Sequence, residues 1–389
     1  MLATDVIDEL DALDGLRADW DELALACELP LMAPGWLLAW WRHIAPQHAL
    51  LRVIAVRDGA RLVGLAPFYA AAGRGGRVDY RLLGVGLGAP LAPLSRPGQR
   101  APVARAIAQA LGRARPRADL VGLQGTPLFS RWHVALAEAW PGRVGPMSGV
   151  YRERALPTVV FGGKSREQWL AGRSSKFRSS MRRLARRFSE RGGSWRMSTA
   201  SALREDVEAF LRLHAARWRG RGHSTVLASG ARMHDMLLDA GRALVGAERF
   251  RLWMTEIDGQ AIAADIYVCG GGVAVGINSG WDERWKPLSP PLLATLHTIE
   301  DCIARGERRL DLGPGSESHK TRFADADNPV GWAVLMTPGR RLPQTLALTA
   351  PLLAGSAAGS LAKRVLTREQ VDALRALRSR ADRGIARSR

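Results

Sequence analysis

The stretch FRLWMTEIDGQAIAADIYVCGGGVAVGIN, from Phe250 to Asn278, decides the fold. Phe250 to Glu256 is short and rich in apolar and aromatic residues, as a strand is. Asp258-Gly259 follows, a two-residue turn whose positions both tolerate positive φ. Ala261 to Cys269 is almost continuously apolar, the pattern of a strand covered on both faces. Gly270 to Gly272 turns the chain again, and Val273 to Asn278 makes a third strand. The loop from Ser279 to Ser289 carries Trp281, Arg284, Trp285 and Lys286. Pro290 and Pro291 then stand where proline is tolerated, in the first turn of a helix. Leu292, Leu293, Leu296, Ile299, Cys302 and Ile303 recur at helical spacing, and Gly306 is placed to end the helix. Leu310 to Leu312 reads as a short strand, Gly313-Pro314-Gly315 breaks it, and Ser316 to Phe323 begins another helix.

The first half repeats this order. Leu51 to Val56, Asp58-Gly59 and Arg61 to Phe68 make a hairpin, and the Ala-rich helix Ala101 to Leu111 and the strand Asp119 to Leu123 follow. Hairpin, helix and strand in the same order predict two similar α/β (α+β) domains in tandem. The Pro- and Gly-containing region Pro141 to Met147 separates them. The domains expected are 1–148 and 149–342, with a basic helical tail at 343–389. The length of 389 residues suits about two domains with full cores.

Cys27, Cys269 and Cys302 have no CxxC spacing, and an odd count speaks against a disulfide framework. That composition suits a reducing cytoplasm. The N-terminus does not read as a signal peptide; Asp5, Asp8, Glu9, Asp11, Asp14 and Asp19 instead read as an acidic amphipathic helix. No His or Cys cluster has metal-ligand spacing, so no metal site is expected.

The formal net charge of +19 favours anionic partners. It is concentrated at Arg173, Lys176, Arg178, Arg182, Arg183, Arg186, Arg187 and Arg191, against the single acid Glu190. Arg178, Arg182 and Arg186 form one helical stripe, with Met181, Leu184 and Phe188 on the apolar side. Such a stripe suits a phosphate-bearing substrate by bidentate contact, or a solvated face. Few aromatics are interleaved with it, so nucleic acid is not the expected partner. Between Arg341 and Lys363 the chain is uncharged, but its Ala, Thr, Ser and Gly content predicts a packed helix. Flanking arginines leave peripheral contact with an anionic membrane as the other reading of the tail.

Several segments together resemble one family. They are Trp20 with Pro34-Gly35-Trp36, the hairpin leading to Leu65-Ala66-Pro67-Phe68, and Lys176-Phe177-Arg178 with Met181-Arg182-Arg183. Phe210-Leu211 through His214, Arg217 and Trp218 continue the pattern, as do Asp258-Gly259, Ser289-Pro290, Asp311-Leu312-Gly313-Pro314-Gly315 and Lys320. Over roughly residues 15 to 340 the chain resembles the GNAT-type acyltransferases of the cellulose-biosynthesis (CelD/BcsL-like) group, relatives of the FemAB aminoacyltransferases of bacteria. The resemblance implies two tandem GNAT-like domains, each a mixed central sheet flanked by helices. It implies transfer from acetyl-CoA or another acyl-CoA, as cosubstrate, to an amine. The acceptor implied is an amino sugar or another cell-envelope polysaccharide precursor. Two other functions stay open: a FemAB-like transferase using aminoacyl-tRNA, and a non-catalytic scaffold of polysaccharide assembly.

Such chemistry requires a pyrophosphate site, which a helix N-terminus supplies through free N–H groups and its dipole. Ser289, Leu292 and Leu293 are placed for this, with Arg284 and Lys286 adding charge. Pro290 and Pro291 remove two donors where the family usually has Gly near Pro291. A backbone N–H on the strand Val275 to Asn278 would polarise the acyl carbonyl, so Asn278 joins the donor group. Proton transfer falls to Asp265, a carboxylate mid-strand among apolar residues, to Asp311 before the Gly313 turn, and to His319. His319 stands where the family commonly has tyrosine. Lys176, Arg178, Arg182, Trp281 and Lys320 are the expected substrate contacts.

Overall fold

The computed structural model describes residues 2–219 and 224–365. The basic tail beyond residue 365 lies outside them. Strands in chain order are β1 (Ala3–Ile7), β2 (Leu50–Asp58), β3 (Arg61–Ala72), β4 (Val78–Leu82), β5 (Leu94–Ser95), β6 (Leu120–Pro127) and β7 (Met147–Arg154). They continue with β8 (Pro157–Val160), β9 (Gly193–Met197), β10 (Phe250–Ile257), β11 (Gln260–Gly270), β12 (Val273–Trp281), β13 (Arg309–Asp311), β14 (Ala326–Asp327) and β15 (Val330–Met336). Helices of the first half are α1 (Arg17–Ala26), α2 (Pro34–His43), α3 (Arg100–Arg113) and α4 (Trp132–Glu138). Those of the second are α5 (Arg166–Ala171), α6 (Ser175–Ser189), α7 (Leu203–Trp218), α8 (Thr225–Ser229), α9 (Ala231–Leu244), α10 (Pro290–Ala304), α11 (Ser318–Thr321) and α12 (Leu342–Val365).

Two mixed sheets follow one plan. The first runs β1-β2-β3-β4-β6-β15-β7, and the second, read from β9, runs β9-β10-β11-β12-β13-β8-β14. In each, three antiparallel pairings lead to one parallel pair, β4 with β6 or β12 with β13. The helix joining that parallel pair is α3 in the first sheet and α10 in the second. The internal repeat is therefore present in the topology, and the chain has two tandem mixed sheets flanked by helices.

The exchange of strands departs from the expected halves. β15 follows the whole second sheet in sequence, yet it lies between β6 and β7 of the first. β7 straddles the expected boundary at 148/149 and also belongs to the first sheet. Ladder pairing, which is non-local, outweighs chain order here. The halves also share a core, since Trp20, Trp36 and Phe68 cluster with Phe210, Phe250 and Val275. α2 packs on α9 at Gly35, where a Cβ would meet Leu244 at 3.0 Å; a larger residue would push the two helices apart.

The acidic N-terminus is not one helix. Asp5 lies in β1, which adds to β2 as an edge strand, and the α-helix starts only at Arg17. The uncharged stretch forms α12, and Leu353 covers Gly149 of β7. Among the described residues no helix is long and apolar enough to cross a membrane.

Candidate functional site

β12 and β13 pair only from Val273/Arg309 to Val275/Asp311 and then part. Beyond that point β12 is held by β11 alone. Its ladder skips Ile277, a bulge that interrupts pairing inside the segment expected to polarise a carbonyl. On the other side of the gap, Gly313 has φ of +79°, and a Cβ there would meet the Gly276 carbonyl oxygen at 3.0 Å. Two parallel strands thus separate at a glycine, opening a splay beside the N-terminal half of α10.

Asp265 sits on β11 facing α10, directly across the ladder from Ser279. It is buried, and burial pushes its carboxyl up to about 7, while Arg217 pulls partly the other way. Arg217 comes from α7 and donates to the Ser279 hydroxyl at 2.6 Å. Next to it His214 is a core residue, bonded to the Ser279 carbonyl and the Ser224 hydroxyl, both at 2.9 Å.

α11 brings two expected residues to the same region. Lys320 donates to the carbonyls of Gly313 and Pro314, both at 3.3 Å, and pairs with Glu317 at 3.2 Å. Burial lowers its pKa, Glu317 offsets part of this, and Arg217 and Arg154 add to it. His319 is likewise lowered, by burial first and then by Lys320. Both His319 and Lys320 thus lie beside the splay, each held below its ordinary range by burial. The cluster is therefore Asp265, Arg217, Ser279, Lys320, Glu317, His319 and Arg154. Arg154 enters from β7 of the other sheet, a placement no local sequence signal carries. Arg217 was visible only as part of a helix pattern.

Asp311 points elsewhere. It shares the face of its neighbour Val275, toward the first half, and lines a cavity of about 670 Å³ between the halves. Arg309, Asn328, Ser95, Trp132 and Phe129 line it too. The Thr158 hydroxyl donates to Asp311 at 2.7 Å; burial raises the Asp311 pKa, and Arg309 and Thr158 offset part of the rise. Asp265 and Asp311 are thus on opposite faces of one sheet, and the splay is the gap between them.

The expected pyrophosphate cradle is not formed. Pro290 and Pro291 have no N–H, and the N–H groups of Leu292 and Leu293 both donate to the Ser289 carbonyl, at 2.9 and 3.3 Å. Ser289 itself, at φ of +48°, makes no side-chain cap, and its N–H is bonded to Lys286. Two prolines and a tightened first turn use up every amide of this helix start. Arg284 is exposed and forked onto Asp282, at 2.8 and 2.6 Å, and Lys286 is exposed. Asn278 is half-buried on β12.

α6 forms as its spacing predicts, with Phe177, Met181, Leu184 and Phe188 buried. Its basic residues do not reach the Asp265 cluster as one stripe. Lys176 lines a shallow groove with Arg322, and Arg178 and Arg182 line a separate cavity against α10. Trp281 is half-buried, with its indole N–H buried and unpartnered. Among the described residues no group of acidic, His or Cys side chains is arranged to hold a metal ion.

Residues 175–321 match the acetyltransferase (GNAT) domain family. Among solved structures, FemX superposes with a TM-score of 0.60 at 11% identity, covering 85% of this chain and 98% of that one. The L-PGS of Bacillus licheniformis superposes at 0.53 and 15% identity, over 89% and 97% of the two chains. The C-terminal domain of a putative lysylphosphatidylglycerol synthetase from Agrobacterium fabrum gives 0.52 and 10%, over 87% and 97%. At such identities the likeness is one of fold. No curated protein matches the sequence. Residues 175–321 thus match a GNAT acetyltransferase domain, as an acyltransferase does.

Proposed function

We propose that the protein forms an amide by passing an acyl group directly from an activated ester to an amine at the β12/β13 splay. Asp265 accepts the proton of the incoming ammonium, for which a carboxyl raised to about 7 is well matched. Arg217, held by Ser279, and Lys320 place positive charge where the carbonyl oxygen and leaving group become negative. Lys320, lowered by burial, then supplies the leaving group's proton. The acceptor is an amino sugar or a related cell-envelope precursor, seated in the cavity lined by Asp311, Asn328 and Trp132.

The donor is an aminoacyl ester, as in the FemAB-like reading, with tRNA as the carrier. One observation carries this choice: α10 begins with no available amide for a pyrophosphate. The basic face of α6 supplies side-chain cations instead. A second reading, acetyl-CoA as donor, is favoured by the acetyltransferase family match; there Arg284 and Lys286 would carry the phosphates.

Calorimetric titration of the full chain with acetyl-CoA and with aminoacylated tRNA, over a range of salt, separates the two. Salt-sensitive binding of charged tRNA with no CoA binding is expected. Micromolar CoA binding that an Arg284→Ala/Lys286→Ala variant loses would replace the tRNA reading with the CoA one.

A further inference from the structure

A second cavity, of about 450 Å³, lies between α6, β9 and α10. None of its lining residues belongs to the Asp265 cluster. Met181, Phe188, Leu293 and Leu296 give it a hydrocarbon floor. One wall is Trp195 stacked on His297, with ring centroids 4.6 Å apart and planes 2° from parallel. Trp253 meets the same histidine edge-on at 4.4 Å.

Trp195 Nε1, His297 Nε2 and, behind the lining, Trp253 Nε1 are buried without partners. Each such atom costs about 1–3 kcal/mol when left unmet. At the rim, Arg166 is spent on Glu300 at 2.7 Å, and Arg178 on the carbonyls of Ala171 and Arg173. Arg182 also lines the cavity, is exposed, and has no hydrogen-bond or ion-pair partner among the described residues.

We propose that this cavity binds a single-chain amphiphile with an anionic head. The chain lies on Met181, Phe188, Leu293 and Leu296 beside the Trp195 ring, and Arg182 takes the charge of the head. The volume is in the range of ordinary small-molecule pockets. A guanidinium serves a carboxylate and a phosphate monoester alike, so a fatty acid and a lysophospholipid-type head share the required chemistry. The inference uses no residue of the Asp265 cluster, though Arg182 lies on the α6 face assigned above to the tRNA donor.

The test is titration of the full chain with dodecanoate and with dodecyl phosphate below their micelle concentrations, by calorimetry. Dodecyl maltoside serves as the neutral-head control and inorganic phosphate as the chainless one. Saturable binding of the anionic amphiphiles is expected, with the neutral one and phosphate alone at least about tenfold weaker. Arg182→Ala, a surface change that leaves the fold intact, should weaken the anions about tenfold and leave the neutral amphiphile unchanged. Ala185→Trp, which fills the cavity, should abolish binding. Equal affinity for neutral and anionic heads, anion binding untouched by Arg182→Ala, or no saturable binding would each overturn the proposal. The stronger of the two anions identifies the source of the ligand, carboxylate or phosphate.

Discussion

Arg217 donates to the Ser279 hydroxyl at 2.6 Å, and Ser279 is the residue directly across the ladder from Asp265. A helix cation, a strand hydroxyl and a buried carboxylate are thus registered by one cross-strand pair. The guanidinium is fixed at the mouth of the splay, and it offsets only part of the burial that raises Asp265.

Asp265 makes activity pH-dependent in a defined sense. As a base with a pKa of about 7, it is competent only when ionised, so kcat/KM rises through pH 7 and levels above it. Asp265→Asn should lower kcat by about 10²–10⁴ and remove that limb. Stability moves the opposite way. The folded pKa is raised above the unfolded value, so the stability tied to the neutral form is complete below the unfolded pKa near 4 and is lost as pH rises through 7. Asp265→Asn should therefore stabilise the protein by about 1–3 kcal/mol at pH 8 and leave it unchanged at pH 4, measured by urea unfolding. Equal effects at both pH values would remove the buried carboxylate from this role.

The start of α10 predicts a gain of function. A Pro290→Ala/Pro291→Gly variant restores two backbone N–H groups at the positive end of a helix. Its affinity for CoA should rise at least about fivefold over the parent, by calorimetry. The variant should lose about 0.4–1 kcal/mol of stability for each proline, through the freer unfolded chain. Parent and variant binding CoA equally would mean that this helix end does not govern donor choice.

Gly313→Ala tests the splay. Its φ of +79° strains any side chain, and the new Cβ would sit 3.0 Å from the Gly276 oxygen. A stability loss of about 1–3 kcal/mol is expected, with a larger fall in kcat than in acceptor affinity, because the gap between Asp265 and Asp311 changes shape. Unchanged kcat in a folded variant would place the reaction elsewhere.

Lys320→Met removes a cation held by two carbonyls and Glu317. It should reduce kcat by about 10²–10³, the range for loss of one charge-stabilising donor. A poor leaving group should suffer more than a good one, as loss of a proton donor requires. Equal losses across leaving groups would leave Lys320 as a positioning residue.

Much of the second sheet was legible in the sequence. Asp258-Gly259 has φ of +49° and +76°, the turn that dipeptide predicts. Proline marked the start of α10, and four-residue spacing marked α6, because both signals are local. Asp265 stood out as a lone carboxylate in an apolar strand. Asp311 looked equally suitable, yet strand alternation turns it to the opposite face, where Thr158 holds it.

Local pattern therefore determined the elements, the internal repeat and the short list of ionisable groups. These depend on side-chain periodicity and on the φ preferences of Gly and Pro, which act over a few residues. Tertiary structure alone decided that β15 crosses into the first sheet, and that Arg154 and Arg217 meet Lys320 at one gap. It also decided that the amides of Leu292 and Leu293 are taken by Ser289. Each of these is a pairing or a field between groups distant in sequence or a choice among competing acceptors. Such contacts are settled by burial and geometry after the chain has folded, and no local pattern encodes them.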